Sequence, residues 1–259
     1  MPRHAEGRIA VLLLLLAAGT AAGQALHPFT ATYSTALNGM PLGIDLKISL
    51  AADNAEHWQV ALTAGSSAIR YAENSVFRWQ DCQASPLRYR YDFRGFGFDR
   101  KLWLDFDYGS RTARGESRRG PLTYTFPPDT TDELALLLSA SCRLQQGVQA
   151  TTFNVATYAG VKTFDYRVDG TERIRTGAGP QETLRVVRVR EKGDRRRSTI
   201  WLAPALGYMM VKMEHVEKLG VRGMIVLKKL EGGMAPPPAG STAEKPATEA
   251  TPALTPSAR

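Results

Sequence analysis

The residues able to do chemistry are few and far apart. Beyond the opening residues the histidines are His27, His57 and His215, and no two are spaced to share one metal ion. Cys82 and Cys142 are the only cysteines, with no Cys-x-x-Cys pair and no histidine close in sequence to activate either thiol. Asp105 and Asp107 share one face of an alternating stretch, as the two acids of a hydrolase would, but Leu104 and Phe106 stand opposite and turn them toward solvent. His215, beside Glu214 and Glu217, reads likewise as an exposed strand residue. There is no Gly-x-Ser-x-Gly elbow, phosphate-binding glycine loop or dinucleotide fingerprint. These residues predict no catalysis, no metal and no cofactor.

Two clusters suit binding instead. Arg188 and Arg190 lie on one strand face and Arg195, Arg196 and Arg197 in the turn that follows, an arrangement able to hold an anionic group jointly; a solvated charged turn is the plainer reading. The tip Gly95-Phe96-Gly97-Phe98 is bracketed by Arg94 and Arg100. Phe96 and Phe98 can enter a membrane surface or close over an apolar ligand, with the arginines on head groups; folded back on the core beneath a turn, they would do neither.

The rest of the chain must position these groups. Residues 1–25 have the form of a secretory signal, with Arg3 and Arg8 before a short apolar run and cleavage expected after Ala22 or Ala25. The run is about half the length a spanning helix needs. Residues 232–259 are rich in Gly, Pro, Ala, Ser and Thr and predict a disordered tail. Residues 26–231 remain as one β-rich domain, exported to the periplasm. The formal net charge is +8, and in an exported protein that favours anionic envelope lipids, glycans or proteins over nucleic acid. Export also makes a Cys82–Cys142 disulfide worth considering, against two separate buried thiols.

Within the domain, residues 29–37, 42–50 and 58–62 alternate apolar and polar, and Asn38-Gly39 turns the first two into a hairpin. Residues 65–71 are irregular. Ser85-Pro86 reads as a break, after which Leu87, Tyr89, Tyr91 and Phe93 alternate with charged residues. Residues 128–146 alone carry a helical pattern: Thr130 and Glu133 form a capping box, Leu134, Leu137, Leu138, Ser141 and Cys142 one face, and Gly147 a left-handed stop. Further strands follow, with Asp169-Gly170 as a hairpin signal. About a dozen strands predict a mainly β fold, a curved antiparallel sheet or open β-barrel covered by one principal α-helix.

Three segments resemble a known family: residues 29–43 (FTATYSTALNGMPLG), 131–138 (TDELALLL), and 200–211 (IWLAPALGYMMV). They resemble the exported bacterial family catalogued as domain of unknown function 3108 (DUF3108). The resemblance implies an exported β-rich protein with no established activity and, by looser analogy, a fold like that of outer-membrane lipoprotein carriers. The expectation is a non-catalytic periplasmic protein that binds an apolar or amphipathic envelope component (lipid, lipoprotein or lipid-linked glycan) in the concavity of its sheet, touching membranes peripherally at most. The alternative is an interaction module with a packed core whose basic surface docks an envelope protein or anionic glycan.

Overall fold

The structure is a computed structural model that describes residues 25–95, 97–189 and 193–233. The expectations for Phe96, for Arg190, for the signal up to residue 24 and for the tail from residue 234 lie outside the described residues.

Alternating patterns build one sheet of fifteen strands. In chain order these are β1 (Phe29–Leu37), β2 (Met40–Ala52), β3 (His57–Gly65), β4 (Arg70–Gln80), β5 (Gln83–Gly95), β6 (Phe98–Asp107), β7 (Thr112–Ser117) and β8 (Gly120–Thr125). Then come β9 (Thr130–Asp132), the helix α1 (Leu136–Gln145), β10 (Ala150–Thr157), β11 (Gly160–Thr176), β12 (Gly179–Arg188), β13 (Arg197–Ala203), β14 (Met209–Val216) and β15 (Arg222–Gly232). The sheet order runs β8 back to β1, then β15 back to β9. The first and last strands are therefore partners, with Phe29 opposite Gly232 and Leu37 opposite Gly223.

The two free edges, β8 and β9, are neighbours in the chain, and the sheet curls toward closure without completing its ladder. Side chains bridge the gap. Tyr124 donates its hydroxyl to the Thr157 carbonyl at 3.1 Å, Gln83 donates to the Asp129 carbonyl at 3.1 Å, and Ser75 donates to the Asp132 carboxylate. The result is the expected mainly β fold, with fifteen strands rather than about a dozen and a single α-helix among the described residues.

Five local expectations are corrected. The helix begins at Leu136, not near residue 128, because Thr130 to Asp132 pair in parallel with Asn154 to Ala156 of β10. Parallel neighbours need a crossover, and α1 is that crossover. The capping box is replaced by Asp132, whose Oδ1 accepts from the Leu134 and Ala135 amides at 2.9 and 2.8 Å. Asp169-Gly170 makes no hairpin: β11 runs through it, and the register slips between Val168 and Thr171, so the pair is a bulge with Gly170 at φ 122°. Pro86 lies inside β5 beside another bulge, in which Leu87 is the extra residue between the partners of Val76 and Phe77, a place where a strand tolerates a residue without an amide proton. Residues 70 and 71, read as irregular, open β4.

Two hairpins turn through paired left-handed residues, the type I′ geometry that matches strand twist. Asn38 and Gly39 do so between β1 and β2 as expected, and Asp81 and Cys82 do so between β4 and β5. The second turn places Cys82 against α1, where it is disulfide-bonded to Cys142 with Cα atoms 5.3 Å apart.

Connections in an antiparallel meander alternate between its two ends, and α1 lies at one of them. Ser141 donates to the Tyr208 carbonyl at 2.9 Å and Gln145 to the Gly207 carbonyl at 2.7 Å, both in the β13–β14 connection. Leu134, Leu138 and Leu144 join the main core there with Phe29, Tyr33 and Leu50. Tyr33 sends its hydroxyl to the Met210 carbonyl at 2.8 Å. The three segments that carry the family resemblance thus meet at this helix end.

The disulfide closes a sequence separation of 60 residues. Replacing both cysteines by serine is expected to lower the unfolding free energy by about 4 kcal/mol, the chain-entropy value for such a loop, measured by urea titration.

Candidate ligand cavity

Above the helix the inside of the curled sheet is not filled. A cavity of about 490 Å³ lies between the α1 floor and the opposite end of the sheet. Leu134, Leu136, Leu137 and Ala140 form its floor, and walls such as Ile48, Leu62, Ile200, Met210 and Met213 are almost wholly apolar. Along β2 the alternation of Leu42, Leu46, Ile48 and Leu50 continues from cavity to core, but burial does not. On β2, Ile48 and Leu50 are buried at the helix end, whereas Leu42, on the cavity wall, is 44% exposed. The cavity therefore opens at the end away from the helix, through the β1–β2 hairpin and the strands beside it.

An acidic group breaks the apolar lining near the floor. Glu73 of β4 is 7% exposed and accepts hydrogen bonds from Tyr71 at 2.8 Å and Tyr89 at 2.6 Å. Burial pushes its carboxyl up to about 7, and the two hydroxyls offset this only in part. Glu133 borders the same space with an exposed side chain, its exposure being to the lumen at the start of the helix segment. Its carboxyl is likewise raised, by burial and then by Asp132, with Lys162 and Arg188 pulling the other way. Asp132 beside it is fully buried and raised to about 6 by that burial, against the opposing effects of its backbone and serine donors. Tyr166 completes this polar corner. An apolar lumen with hydrogen-bonding carboxyls at its inner end can hold an amphipathic molecule. Its polar end would be a hydroxyl or an ammonium, with the carboxyls accepting.

At the rim, Ser198 and His215 are cross-strand partners with Oγ and Nδ1 2.8 Å apart, and Glu217 lies 3.4 Å from the His215 Nε2. Glu217 also receives Arg196 at 3.2 Å.

The sites expected from sequence fall into place unevenly. Arg188, Arg195 and Arg197 border one outer groove of about 660 Å³, which Asp169 and Asp194 also line. Arg196 is turned to Glu217 instead, and Arg188 lies over the Phe164 ring at 3.8 Å. Phe98 is 48% exposed with Arg100 stacked on its ring at 5.2 Å, and Arg94 pairs with Asp99 at 3.3 Å. None of Arg94, Phe98 and Arg100 lines the cavity. Sequence reasoning missed Glu73, and gave Glu133 a capping role. The available signal was the run Tyr71, Glu73, Ser75, Phe77, which puts a carboxylate on the apolar face of β4.

Among solved structures, a β-barrel-like protein of domain of unknown function DUF1849 from Brucella abortus is similar to this chain, with TM-score 0.52 and 8% identity over 80% of this chain and 98% of that one. Weaker matches are a putative lipoprotein from Parabacteroides distasonis (TM-score 0.29, 10% identity, 79% and 95% covered) and a putative exported protein with a YmcC-like fold from Bacteroides fragilis (TM-score 0.28, 10% identity, 79% and 94% covered). The first shows a shared fold. No curated protein matches the chain. No helix among the described residues is long and apolar enough to cross a membrane.

The raised carboxyl of Glu73 sets a pH dependence. Folded, it keeps its proton up to about 7, while the unfolded chain releases it near the ordinary 4.5, so the native state binds the extra proton between those values. Stability is expected to fall as pH rises through that window and to level off above it. Glu73→Gln should flatten much of the slope, the remainder being due to Asp132 and Glu133; urea midpoints from pH 5 to 8 measure both. On the residues matched, 29–226, this chain belongs to the family described as Protein of unknown function (DUF3108).

Proposed function

We propose that this protein is a non-catalytic periplasmic carrier that holds the apolar part of an amphipathic envelope molecule in its cavity. The observation that carries this reading is the open apolar space of about 490 Å³ above the helix, within the range of small-molecule sites. A packed interaction module would have filled that space with side chains. The ligand class is a lipid, a lipoprotein acyl chain or a lipid-linked glycan, its tail along Leu62, Ile200 and Met213 and a donor group reaching Glu73 or Glu133. The signal-like opening of the sequence and the basic charge agree with an envelope location.

The outer groove of Arg188, Arg195 and Arg197 supports a second reading, in which an anionic glycan or protein docks on the outside of the sheet. The two readings use different surfaces and are separable.

Native mass spectrometry of protein purified from its own compartment, followed by organic extraction, is expected to find one bound amphiphile per chain. In the stripped protein, a fluorescent long-chain alcohol should bind, and Ala140→Trp, which sets an indole in the lumen, should weaken it about tenfold or more. Arg195→Glu with Arg197→Glu should leave that binding unchanged. A bare chain that takes up no probe would sink the carrier reading.

A further inference from the structure

The mouth of the cavity differs from the rest of the molecular surface in two respects. Nine large apolar side chains are exposed among the described residues, and all but Trp103 stand at the mouth end. Leu37, Met40 and Leu42 belong to the β1–β2 hairpin, and Leu219 and Val221 to the β14–β15 turn; Met40 is 68% exposed and Leu219 94%. The two tips are locked together, the Asn38 amide donating to the Arg222 carbonyl at 2.8 Å and the Arg222 amide to the Asn38 Oδ1 at 2.8 Å. Phe98 and Tyr158 occupy other turns of the same end, each with a cation on its ring: Arg100 on Phe98, and Arg119 and Lys162 on Tyr158.

Charge is divided between the two ends in the same sense. Described turns at the mouth carry Arg118, Arg119, Arg195, Arg196 and Lys218 against Asp194 and Glu217. Turns at the helix end carry Asp53, Glu56, Asp81 and Asp129 against Arg111. The molecule is thus polarised along its axis, positive where the apolar tips are and negative where the helix closes the sheet. Scattered exposed apolar residues need no explanation, but a set gathered around a cavity opening and interleaved with cations does.

We propose that the mouth end docks on an anionic lipid bilayer, with Met40, Leu42, Leu219 and Val221 entering the interface and the surrounding arginines and Lys218 over the head groups. The negative helix end then points away from the surface, which fixes orientation as well as attraction. Cavity and bilayer interior become continuous through the rim of Leu37 and Leu42, so an amphiphile can pass between them without crossing water. That exchange rests on the carrier reading; the docking itself does not.

The test is co-sedimentation of the protein with phosphatidylcholine vesicles, with and without phosphatidylglycerol. Binding is expected to require phosphatidylglycerol and to weaken as salt is raised. Met40→Ser with Leu219→Ser should weaken it about tenfold or more, and Arg119→Glu with Lys218→Glu by a comparable factor. These side chains are on exposed turns, and circular dichroism checks that the variants fold. Trp103→Ser, the exposed apolar residue away from the mouth, should change nothing. Equal binding to both vesicle types, full binding by the Met40/Leu219 variant, or an equal loss in the Trp103 variant overturns the proposal. So does a dimer in solution that the same two serines dissolve, because the tips would then cover one another. Uptake of the fluorescent long-chain alcohol from solution separates this result from the cavity reading: the Met40/Leu219 variant should keep uptake while losing vesicles, and Ala140→Trp the reverse.

Discussion

The buried carboxylate of Asp132 is the constraint on which the arrangement depends. Its side chain is inaccessible to solvent, and it accepts hydrogen bonds from the Leu134 and Ala135 amides and from Ser75 of β4. Those donors belong to both sides of the gap in the ladder, so one acid joins the edge strand β9, the far wall and the first turn leading to α1. A carboxylate at such depth is tolerable only while its donors stay in place, which makes the position of the helix cooperative with the curl of the sheet. The disulfide, on the turn after β4, holds the middle of the same helix to the same wall. Glu133 follows Asp132 directly, and with its neighbour directed into the wall it faces the lumen.

The cavity follows from geometry more than from any special lining. A sheet of fifteen strands encloses more volume than its inward side chains fill, and the only α-helix among the described residues occupies one end of it. At that end Leu134, Leu138 and Leu144 share one buried cluster with Phe29, Tyr33 and Leu50. At the other end the same alternating pattern continues with nothing opposite it. Leucine and methionine there meet open space, a state in which apolar surface remains wetted unless something apolar occupies it.

Legibility in the sequence followed the range of the interactions. Period-two alternation is a local signal, so β1, β2, the strands around Tyr89 and Leu104, and the Asn38-Gly39 turn could be read directly. Asp169-Gly170 carries the same local chemistry as a hairpin, yet the ladder to β12 resumes at Thr171 beyond it, and a glycine with positive φ serves a bulge as well as a turn. Ser85-Pro86 has the local chemistry of a break, and only the pairing with β4 shows that the bulged Leu87 beside Pro86 lets the strand continue. Thr130 and Glu133 have the spacing of a capping box, but pairing with residues twenty-four positions later claims Thr130 for the sheet. Glu73 shows in the sequence only as a carboxylate on the apolar face of β4; its place beside the cavity floor depends on where α1 packs. The cysteine pair was left open in the sequence for the same reason: only the β4–β5 turn brings Cys82 to the helix.

The pairing of β1 with β15 has a practical side. Phe29 lies opposite Gly232, which sets both ends of the described sheet beside the closed floor and opposite the opening. A label or surface linker joined at either of these points stands on the side away from the lumen. The protein can therefore be held by one end, on a sensor chip or at a single-molecule tether, with its entrance facing the solution.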